Sequence, residues 1–215
     1  MRAGEYKADE PFDVEILLHR VDPVSNIDEL VSGLSSELDG ELHANANDAE
    51  QLAPGNWFDN APELRSGQTI ETDIVQGEAH VYKVPMQEGQ QLAAAIKAGE
   101  VSDRKALQYS GLDVSIHNPV REKAGEHEFL IWPNEGDEGS TSAASPTAFT
   151  NRFSSDTASS YGNANWLEGD YYIVVTLDGG KGDGGGENND NPTGKRATMK
   201  YYLTSKAVSY THLRA

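Results

Sequence analysis

The amino-acid sequence predicts an all-β protein, an antiparallel β-sandwich or jelly roll preceded by one short linking helix. Three observations support this prediction. Glycine is abundant, at 21 of 215 residues. Short runs with alternating apolar residues recur along the chain, and clusters of Gly, Pro and Asn separate them. With 37% hydrophobic residues, the chain can bury one core of moderate size.

The first segments are expected to lie outside the main domain. Residues 12–20, FDVEILLHR, alternate and then become continuously apolar, as in a half-buried β-strand. Because this strand stands alone near the start, we interpret residues 1–23 as the closing strand of a truncated preceding module. Residues 24–55 are predicted to be a short helix and a polar linker, since apolar residues recur there at helical spacing. Those residues are Ile27, Leu30, Val31, Leu34 and Leu38.

Residues 56–207 are expected to form the β-sandwich module itself. The runs 69–76 and 79–86 flank Gly77, which predicts a β-hairpin with a turn at a positive φ. Asn118 and Pro119 predict a turn after the next strands. The remaining predicted strands lie in residues 90–98, 111–117, 127–132, 169–178 and 198–204, and residues 133–146 are expected to be a loop.

The most distinctive run is LEGDYYIVVTLDGG, residues 167–180. Side chains alternate along a strand, so Tyr172, Val174 and Thr176 should share one face. The opposite face then carries Tyr171, Ile173, Val175 and Leu177. A strand that is apolar on both faces is usually central in its sheet.

The C-terminal residues 208–215 are expected to be a non-native tail. The peptide SYTHLRA, residues 209–215, resembles translated sequencing-adaptor readthrough at the ends of assembled metagenomic genes. On this interpretation the natural protein continues with other residues, and a membrane anchor could follow there.

Four stretches together resemble one protein family. They are residues 58–96, residues 113–124 (DVSIHNPVREKA), residues 151–153 (NRF) and residues 167–177. They resemble extracellular β-sandwich modules of actinobacterial cell-surface proteins, which are associated with von Willebrand type A domains and are similar to pre-peptidase C-terminal domains. The resemblance implies a non-catalytic exported module, a spacer or interaction domain at the cell envelope. Its implied partners are other domains of the same surface protein, and it implies no catalytic residues.

The charge and the absence of cysteine exclude several classes of function. The chain carries 35 acidic and 17 basic side chains, a formal net charge of −18. This charge disfavours binding to nucleic acid and to anionic membranes. Without cysteine there are neither disulfides nor thiolate metal sites. No run in the sequence approaches the roughly 20 apolar residues of a membrane-spanning helix.

A calcium site is the first candidate function of the glycine-rich residues 178–194. Four carboxylates there could supply oxygen ligands: Asp178, Asp183, Glu187 and Asp190. Their spacing fits neither an EF-hand nor the calcium-binding β-roll repeat. We therefore expect a flexible insertion and no cofactor, with calcium as the alternative.

Carbohydrate binding is the second candidate, because exposed aromatic rings can stack on sugars. Four aromatic residues lie in or beside predicted loops or strand ends: Trp57, Trp132, Tyr161 and Trp166. The alternative is that these large side chains are buried and cover the open ends of the sandwich. The sequence leaves both interpretations open.

No pattern in the sequence predicts an enzyme. There is no Gly-x-Ser-x-Gly elbow, no His-Glu-x-x-His pair and no phosphate-binding P-loop. The expected function is a non-catalytic module of a bacterial cell-surface protein. The alternatives are a carbohydrate-binding module with exposed Trp and Tyr, and a fragment of a calcium-dependent adhesin. A polysaccharide or protein ligand is the further expected partner.

Overall fold

The structure, a computed structural model, describes residues 15–20, 42–87, 90–104, 106–107, 110–130, 140–144, 165, 167–178 and 196–209. Within them lie nine strands: β1 (Glu50–Gln51), β2 (Thr69–Val75), β3 (Ala79–Met86), β4 (Gln90–Val101), β5 (Gly111–His117), β6 (Lys123–Leu130), β7 (Ser140–Ala144), β8 (Gly169–Leu177) and β9 (Thr198–Ser209). Short 3₁₀ turns occupy Ala46–Asp48 and Phe58–Asn60. The linking helix predicted before residue 41 falls outside the described residues.

The strands form two sheets, which confirms the predicted all-β sandwich. One sheet has five strands in the order β1-β2-β9-β4-β7, and the other has four in the order β3-β8-β5-β6. Neighbouring strands run antiparallel except β1 and β2, which are parallel. In the described part of the chain, no helix is long and apolar enough to cross a membrane.

The predicted hairpin between β2 and β3 is wrong. β2 pairs with β9 in the five-stranded sheet, whereas β3 pairs with β8 in the four-stranded sheet. The turn between them therefore carries the chain across the core. The amide of Gln76 donates to Ala197, the residue before β9 of the first sheet, and the amide of Gly77 donates to Leu177 of the second. The predicted positive φ of Gly77 is confirmed, at 87°.

Three other expectations differ from the structure. Residues 15–20, the described part of the strand expected over 12–20, contain no strand and are exposed. Residues 42–55, expected to be linker, contribute β1 to the sheet edge and an antiparallel bridge from Gly55 to Val81. β7 lies in the stretch expected to be a loop, where its residues pair with β4. Residues 42–55 and β7 gain backbone partners from a sheet edge, which periodicity in the sequence does not report.

The predicted central strand is confirmed as β8, which lies between β3 and β5. Its inward side chains, Tyr171, Ile173, Val175 and Leu177, are buried, and the alternate residues are half-buried on the outer face. Because of the strand register, Tyr172 lies directly between Lys83 of β3 and His117 of β5. The outer face of this sheet therefore carries a row of three polar or aromatic side chains, one each from β3, β8 and β5.

Buried tyrosines connect the two sheets through their hydroxyl groups. Tyr82 of β3 and Tyr201 of β9 are fully buried, and their hydroxyl oxygens lie 2.9 Å apart. The Nδ1 atom of His80 lies 2.9 Å from the same Tyr201 hydroxyl. Tyr201 thus satisfies two buried polar groups of the facing sheet. Burial raises the pKa of Tyr82 to about 12, so its hydroxyl stays neutral.

Removing the Tyr201 hydroxyl should destabilise the protein. Tyr201→Phe leaves His80 and Tyr82 without this buried partner, which we expect to lower the free energy of unfolding by about 1–3 kcal/mol. Urea denaturation measures the change. Tyr202→Phe, on the half-buried outer face of the same strand, is the matched control and should change stability by less than about 0.5 kcal/mol. Equal effects of the two variants would refute the role of the buried hydroxyl.

His80 should make stability depend on pH. Burial lowers the pKa of His80 below its ordinary value of 6.5, although Glu78, with a carboxylate oxygen 3.6 Å from Nε2, partly offsets this. Between the two pKa values the folded state binds fewer protons than the unfolded chain. The stability contribution is therefore present above about pH 6.5 and is lost as pH falls toward the folded pKa.

The comparison of wild type with His80→Gln isolates this contribution. The stability advantage of wild type over the variant should shrink as the buffer goes from about pH 7.5 to about pH 5. Urea denaturation across this range measures it. A constant difference over the whole range is the opposite result and would mean that His80 does not titrate differently on unfolding.

Candidate binding site on the outer face of the four-stranded sheet

An aromatic cluster covers the row of side chains on the outer face of the four-stranded sheet. The ring of Phe58 meets Tyr172 edge to face, with ring centroids 5.0 Å apart, and meets His117 with centroids 5.7 Å apart. Trp57 packs edge to face on Phe58 at 5.6 Å. Edge-to-face contacts at these distances stabilise aromatic pairs beyond simple burial. We call Trp57, Phe58, His117, Arg121 and Tyr172 the Trp57 cluster.

The loop that carries Trp57 is held in one conformation by its own hydrogen bonds. The Oδ1 atom of Asn60 accepts from the amides of Asn56 and Trp57, at 3.1 and 3.0 Å, and its Nδ2 donates to Asn56. Gly55 forms two backbone hydrogen bonds with Val81 of β3. The loop is therefore attached to the sheet edge and folded onto itself before any ligand arrives.

Trp57 is the exposed member of the cluster. Its side chain remains 54% exposed, while Phe58 beneath it is half-buried. An indole ring supplies a large rigid apolar face and one N–H donor. On a loop fixed in this way, the ring loses little further freedom when a ligand packs against it.

Arg121 adds a cation to the cluster from the turn between β5 and β6. Its guanidinium carbon lies 4.9 Å from the centre of the Phe58 ring, a cation–π distance. Its φ is +67°, a left-handed conformation that costs a non-glycine residue roughly 1–2 kcal/mol. Such strain persists where the surroundings determine the conformation, as at functional sites.

The side chain of Asn118 fixes the conformation of the turn that carries Arg121. The turn predicted at Asn118 and Pro119 is confirmed. Asn118 is fully buried, and its Oδ1 accepts from the amides of Val120 and Glu122, at 3.0 and 2.8 Å. Its backbone carbonyl accepts from the amide of Arg121 at 2.8 Å. The turn is thus closed around one buried amide side chain.

Two carboxylates contact the Arg121 guanidinium. Glu15 contacts both terminal nitrogens, with Nη2 donating at 2.7 Å, and Nη2 also donates to Asp59 at 2.6 Å. The hydrogen bond from Arg121 is the main cause that lowers the pKa of Glu15, and a hydrogen bond from Trp57 contributes further. At the other end of the row, Lys83 pairs with Asp170 at 3.3 Å. The site therefore combines an aromatic surface with charged and hydrogen-bonding groups.

A serine and a histidine also lie together under this cluster. Ser115 Oγ is 3.1 Å from His117 Nε2, and His117 Nδ1 is 3.1 Å from the carbonyl oxygen of Arg121. Ser115 is only 5% exposed, and Phe58 packs against the imidazole. A nucleophilic serine needs access to a substrate carbonyl. This pair has the geometry of a structural hydrogen bond that orients the His117 ring.

Of the predicted carbohydrate-binding residues, the structure describes Trp57 and places it at this site. Trp132, Tyr161 and Trp166 fall outside the described residues. So do the calcium candidates Asp183, Glu187 and Asp190, whereas Asp178 is exposed at the end of β8, where its amide donates to Gly111. Among the described residues, no group of three or more His, Asp or Glu side chains is placed to hold a metal.

Sequence reasoning missed the residues that support Trp57. Phe58 adjoins it in the chain, but Arg121 comes from the distant β5–β6 turn and Tyr172 from β8, and Glu15 is 106 residues from Arg121. The alternation of β8 did separate Tyr172 from the four side chains that the structure buries. A further signal was the Asn118–Pro119 turn, since a tight turn beside a central strand fixes the direction of the residues that follow.

A second depression lies at the edge of the five-stranded sheet. It has a volume of about 600 Å³, and charged side chains line it, among them Asp48, Glu50, Arg65 and Lys206. Glu50 lies 3.7 Å from Arg65 and accepts from Gln68 at 2.9 Å. Its charged lining side chains Glu50 and Arg65 are mostly exposed, so this groove is the weaker candidate for a specific site.

Comparisons with known proteins give distant structural likenesses. No protein-family model matches the chain, and no curated protein sequence matches it. It is similar to PliG of Aeromonas hydrophila, a periplasmic lysozyme inhibitor of g-type lysozyme, at 12% identity and a TM-score of 0.31, over 68% of this chain and 97% of that chain.

Two carbohydrate-binding structures are similar to the same degree. The family 6 carbohydrate-binding module from Clostridium cellulolyticum, in complex with xylose, has 12% identity and a TM-score of 0.28, over 62% of this chain and 74% of that chain. CsCBM6-3 from Clostridium stercorarium, in complex with cellobiose, has 9% identity and a TM-score of 0.29, over 79% and 98%. At these scores the likenesses carry no argument about function, which must come from the Trp57 cluster itself.

Gly55 should be required for the loop that presents Trp57. A Cβ atom at position 55 would lie 2.7 Å from Asn60 O and 2.8 Å from Ala61 Cα. Gly55→Ala must therefore displace backbone, and we expect it to lower the free energy of unfolding by about 1–3 kcal/mol. Thermal denaturation and tryptophan fluorescence measure the change.

Gly99→Ala is the matched control for this substitution. There the added Cβ would lie 3.1 Å from a Tyr202 ring carbon, which can shift, and 3.2 Å from the Lys200 carbonyl oxygen, a less severe backbone contact than the 2.7 Å at Gly55. Its effect should be smaller than that of Gly55→Ala. If Gly55→Ala leaves stability and fluorescence unchanged, the loop is not constrained as described.

Proposed function

We propose that the protein is a non-catalytic β-sandwich module that binds carbohydrate through the Trp57 cluster. The observation that carries the proposal is the exposed indole of Trp57 on a loop that Asn60 and Gly55 hold in place. A lone exposed hydrophobic residue is ordinary on a protein surface. Here the ring stands on a packed aromatic base beside hydrogen-bonding side chains, which is how binding sites combine an apolar surface with polar specificity.

The polar groups around Trp57 suit a polyhydroxylated ligand. Asp59 is 68% exposed at its side chain and accepts hydrogen bonds, and the paired Lys83 and Asp170 lie at the other end of the row. Sugar hydroxyls both donate and accept, so a mixed set of carboxylates and cations can serve them. An aromatic face packs against the apolar face of a sugar ring, while these groups take the hydroxyls.

A module of this type fits an exported location. The resemblance to cell-surface modules implies the cell envelope, where a carbohydrate-binding domain would meet polysaccharides or the glycans of other cells. Other domains of the same surface protein are its proposed partners. The calcium alternative concerns mainly residues outside the described ones and remains a prediction.

A simple spacer is the competing proposal for the same fold. A spacer would need the two sheets and their core, but it would not need an exposed indole on a hydrogen-bonded loop. The distinction is experimental, because both proposals predict a stable monomeric sandwich and only one predicts a saccharide that binds.

Trp57→Ala should weaken carbohydrate binding while leaving the fold intact. Soluble neutral and acidic oligosaccharides are titrated into the protein by calorimetry, and the variant should bind the active ligand at least about tenfold more weakly, a loss of about 1.4 kcal/mol. Its melting temperature should stay close to that of wild type, because the side chain is largely exposed.

Tyr202→Ala is the control for the loss of an aromatic side chain. Tyr202 is half-buried on the outer face of the five-stranded sheet, away from the Trp57 cluster, and its removal should leave the affinity unchanged. The proposal fails if no oligosaccharide binds to wild type, or if both variants bind as wild type does.

A further inference from the structure

The carboxylate of Glu15 lies on the Arg121 guanidinium, a position that the carboxylate of a ligand could also occupy. Glu15 comes from residues 15–20, an extended stretch that contains no strand. Ile16 and Leu18 in this stretch are 87% and 97% exposed, so burial of apolar side chains does not hold it in place. The contact from Glu15 to Arg121 is therefore a principal attachment of this stretch to the outer face.

The groups that surround Glu15 form a carboxylate-binding arrangement. Both terminal nitrogens of Arg121 contact its two oxygens, the two-point geometry that arginine offers to carboxylates. The exposed ring of Trp57 packs on Phe58, the ring that the same guanidinium contacts. Two guanidinium donors beside an exposed aromatic face are suited to a ligand that carries a carboxylate on a ring with an apolar face.

Arg121 also retains a donor that nothing in the described part of the chain uses. Its Nε atom is buried and has no hydrogen-bond partner there. Buried polar groups in proteins are almost always satisfied, so an open donor of this kind indicates a place for a water or for a ligand oxygen. The Arg121 side chain as a whole is 14% exposed, so solvent reaches part of it although Nε itself is buried.

We propose that the Trp57 cluster binds an acidic sugar, a uronic acid residue of a polysaccharide, and that Glu15 occupies the place of its carboxylate until the sugar displaces it. This inference rests on the proposed carbohydrate-binding function and names its ligand class. The uronic carboxylate takes the Arg121 fork, and the sugar ring packs on Trp57. Asp59 stays on Arg121 in both states.

The charge balance at the site is the same in both states. With Glu15 bound, the cations Arg121 and Lys83 face three carboxylates, those of Glu15, Asp59 and Asp170. A ligand carboxylate that replaces Glu15 restores this set, whereas a neutral sugar leaves Arg121 with Asp59 alone. The net charge of −18 repels an acidic polymer at long range, but at physiological salt that repulsion is screened beyond about 8 Å.

Because Glu15 must be displaced first, the apparent affinity of the wild-type protein for the acidic sugar is lowered. If residues 15–20 are attached for about 70–90% of the time, a ligand that needs the open state binds about three- to tenfold more weakly than to an open site. Weakening the internal contact should therefore strengthen ligand binding, which is the opposite of what loss of a direct ligand contact does.

The test compares trigalacturonic acid with the neutral xylotriose at about 0.15 M salt. Calorimetry measures both affinities for wild type, Glu15→Gln, Arg121→Lys and Glu50→Gln. Glu15→Gln should bind the acidic trisaccharide about three- to tenfold more tightly than wild type. In that variant the acidic ligand should bind at least about tenfold more tightly than the neutral one.

Arg121→Lys keeps the charge but removes the two-point fork. It should lower the ratio of acidic to neutral affinity at least about tenfold. Glu50→Gln removes an exposed ion pair on the other sheet and should behave as wild type. Melting temperatures of all variants show that each is folded.

The outcomes separate this inference from the proposed function. Trp57-dependent binding of neutral sugar alone, or unchanged acidic affinity in Glu15→Gln, would overturn the uronic acid proposal and leave carbohydrate binding standing. Absence of binding by any saccharide would overturn both. Tighter acidic binding in Glu15→Gln together with its loss in Arg121→Lys is the supporting result.

Discussion

The alternation of side chains along β8 is the constraint on which both the buried core and the Trp57 cluster depend. Odd-numbered residues from Tyr171 to Leu177 point into the core, where they are buried in the apolar cluster that the two sheets share. The same alternation leaves Tyr172 on the outer face, between Lys83 and His117. A shift of register by one residue would exchange the two faces, so the core and the site have to be correct together.

The two faces of this sheet are stabilised in different ways. On the inner face, polar groups are few, and the hydroxyl of Tyr201 satisfies His80 and Tyr82 across the core. On the outer face, one half-buried ring, Phe58, contacts Tyr172, His117 and Arg121. The site is thus a small satellite core outside the sandwich, and Trp57 is its exposed edge.

Much of the sandwich could be predicted from the sequence, because alternation reports which strands have a buried face. β5, β8 and β9 follow directly from it. Strand partners were not predictable in the same way. The runs now seen as β2 and β3 have apolar faces that meet across the core, and a short turn with a glycine is compatible with that arrangement as well as with a hairpin. The choice between these two arrangements depends on pairing with β8 and β9, which are distant in sequence, so the residues around the turn do not reveal it.

Trp57 was a candidate from its residue type, but its surroundings depend on contacts between residues far apart in sequence. Arg121 illustrates the consequence. Glycine or asparagine would adopt the φ of +67° at that position with less strain. Selection for a stable turn alone would therefore favour replacing the arginine, and with it the charge beside Phe58 would disappear. The turn keeps a strained backbone at the position that fixes the guanidinium. Under the proposed function, stability and ligand recognition would favour different residues at this position.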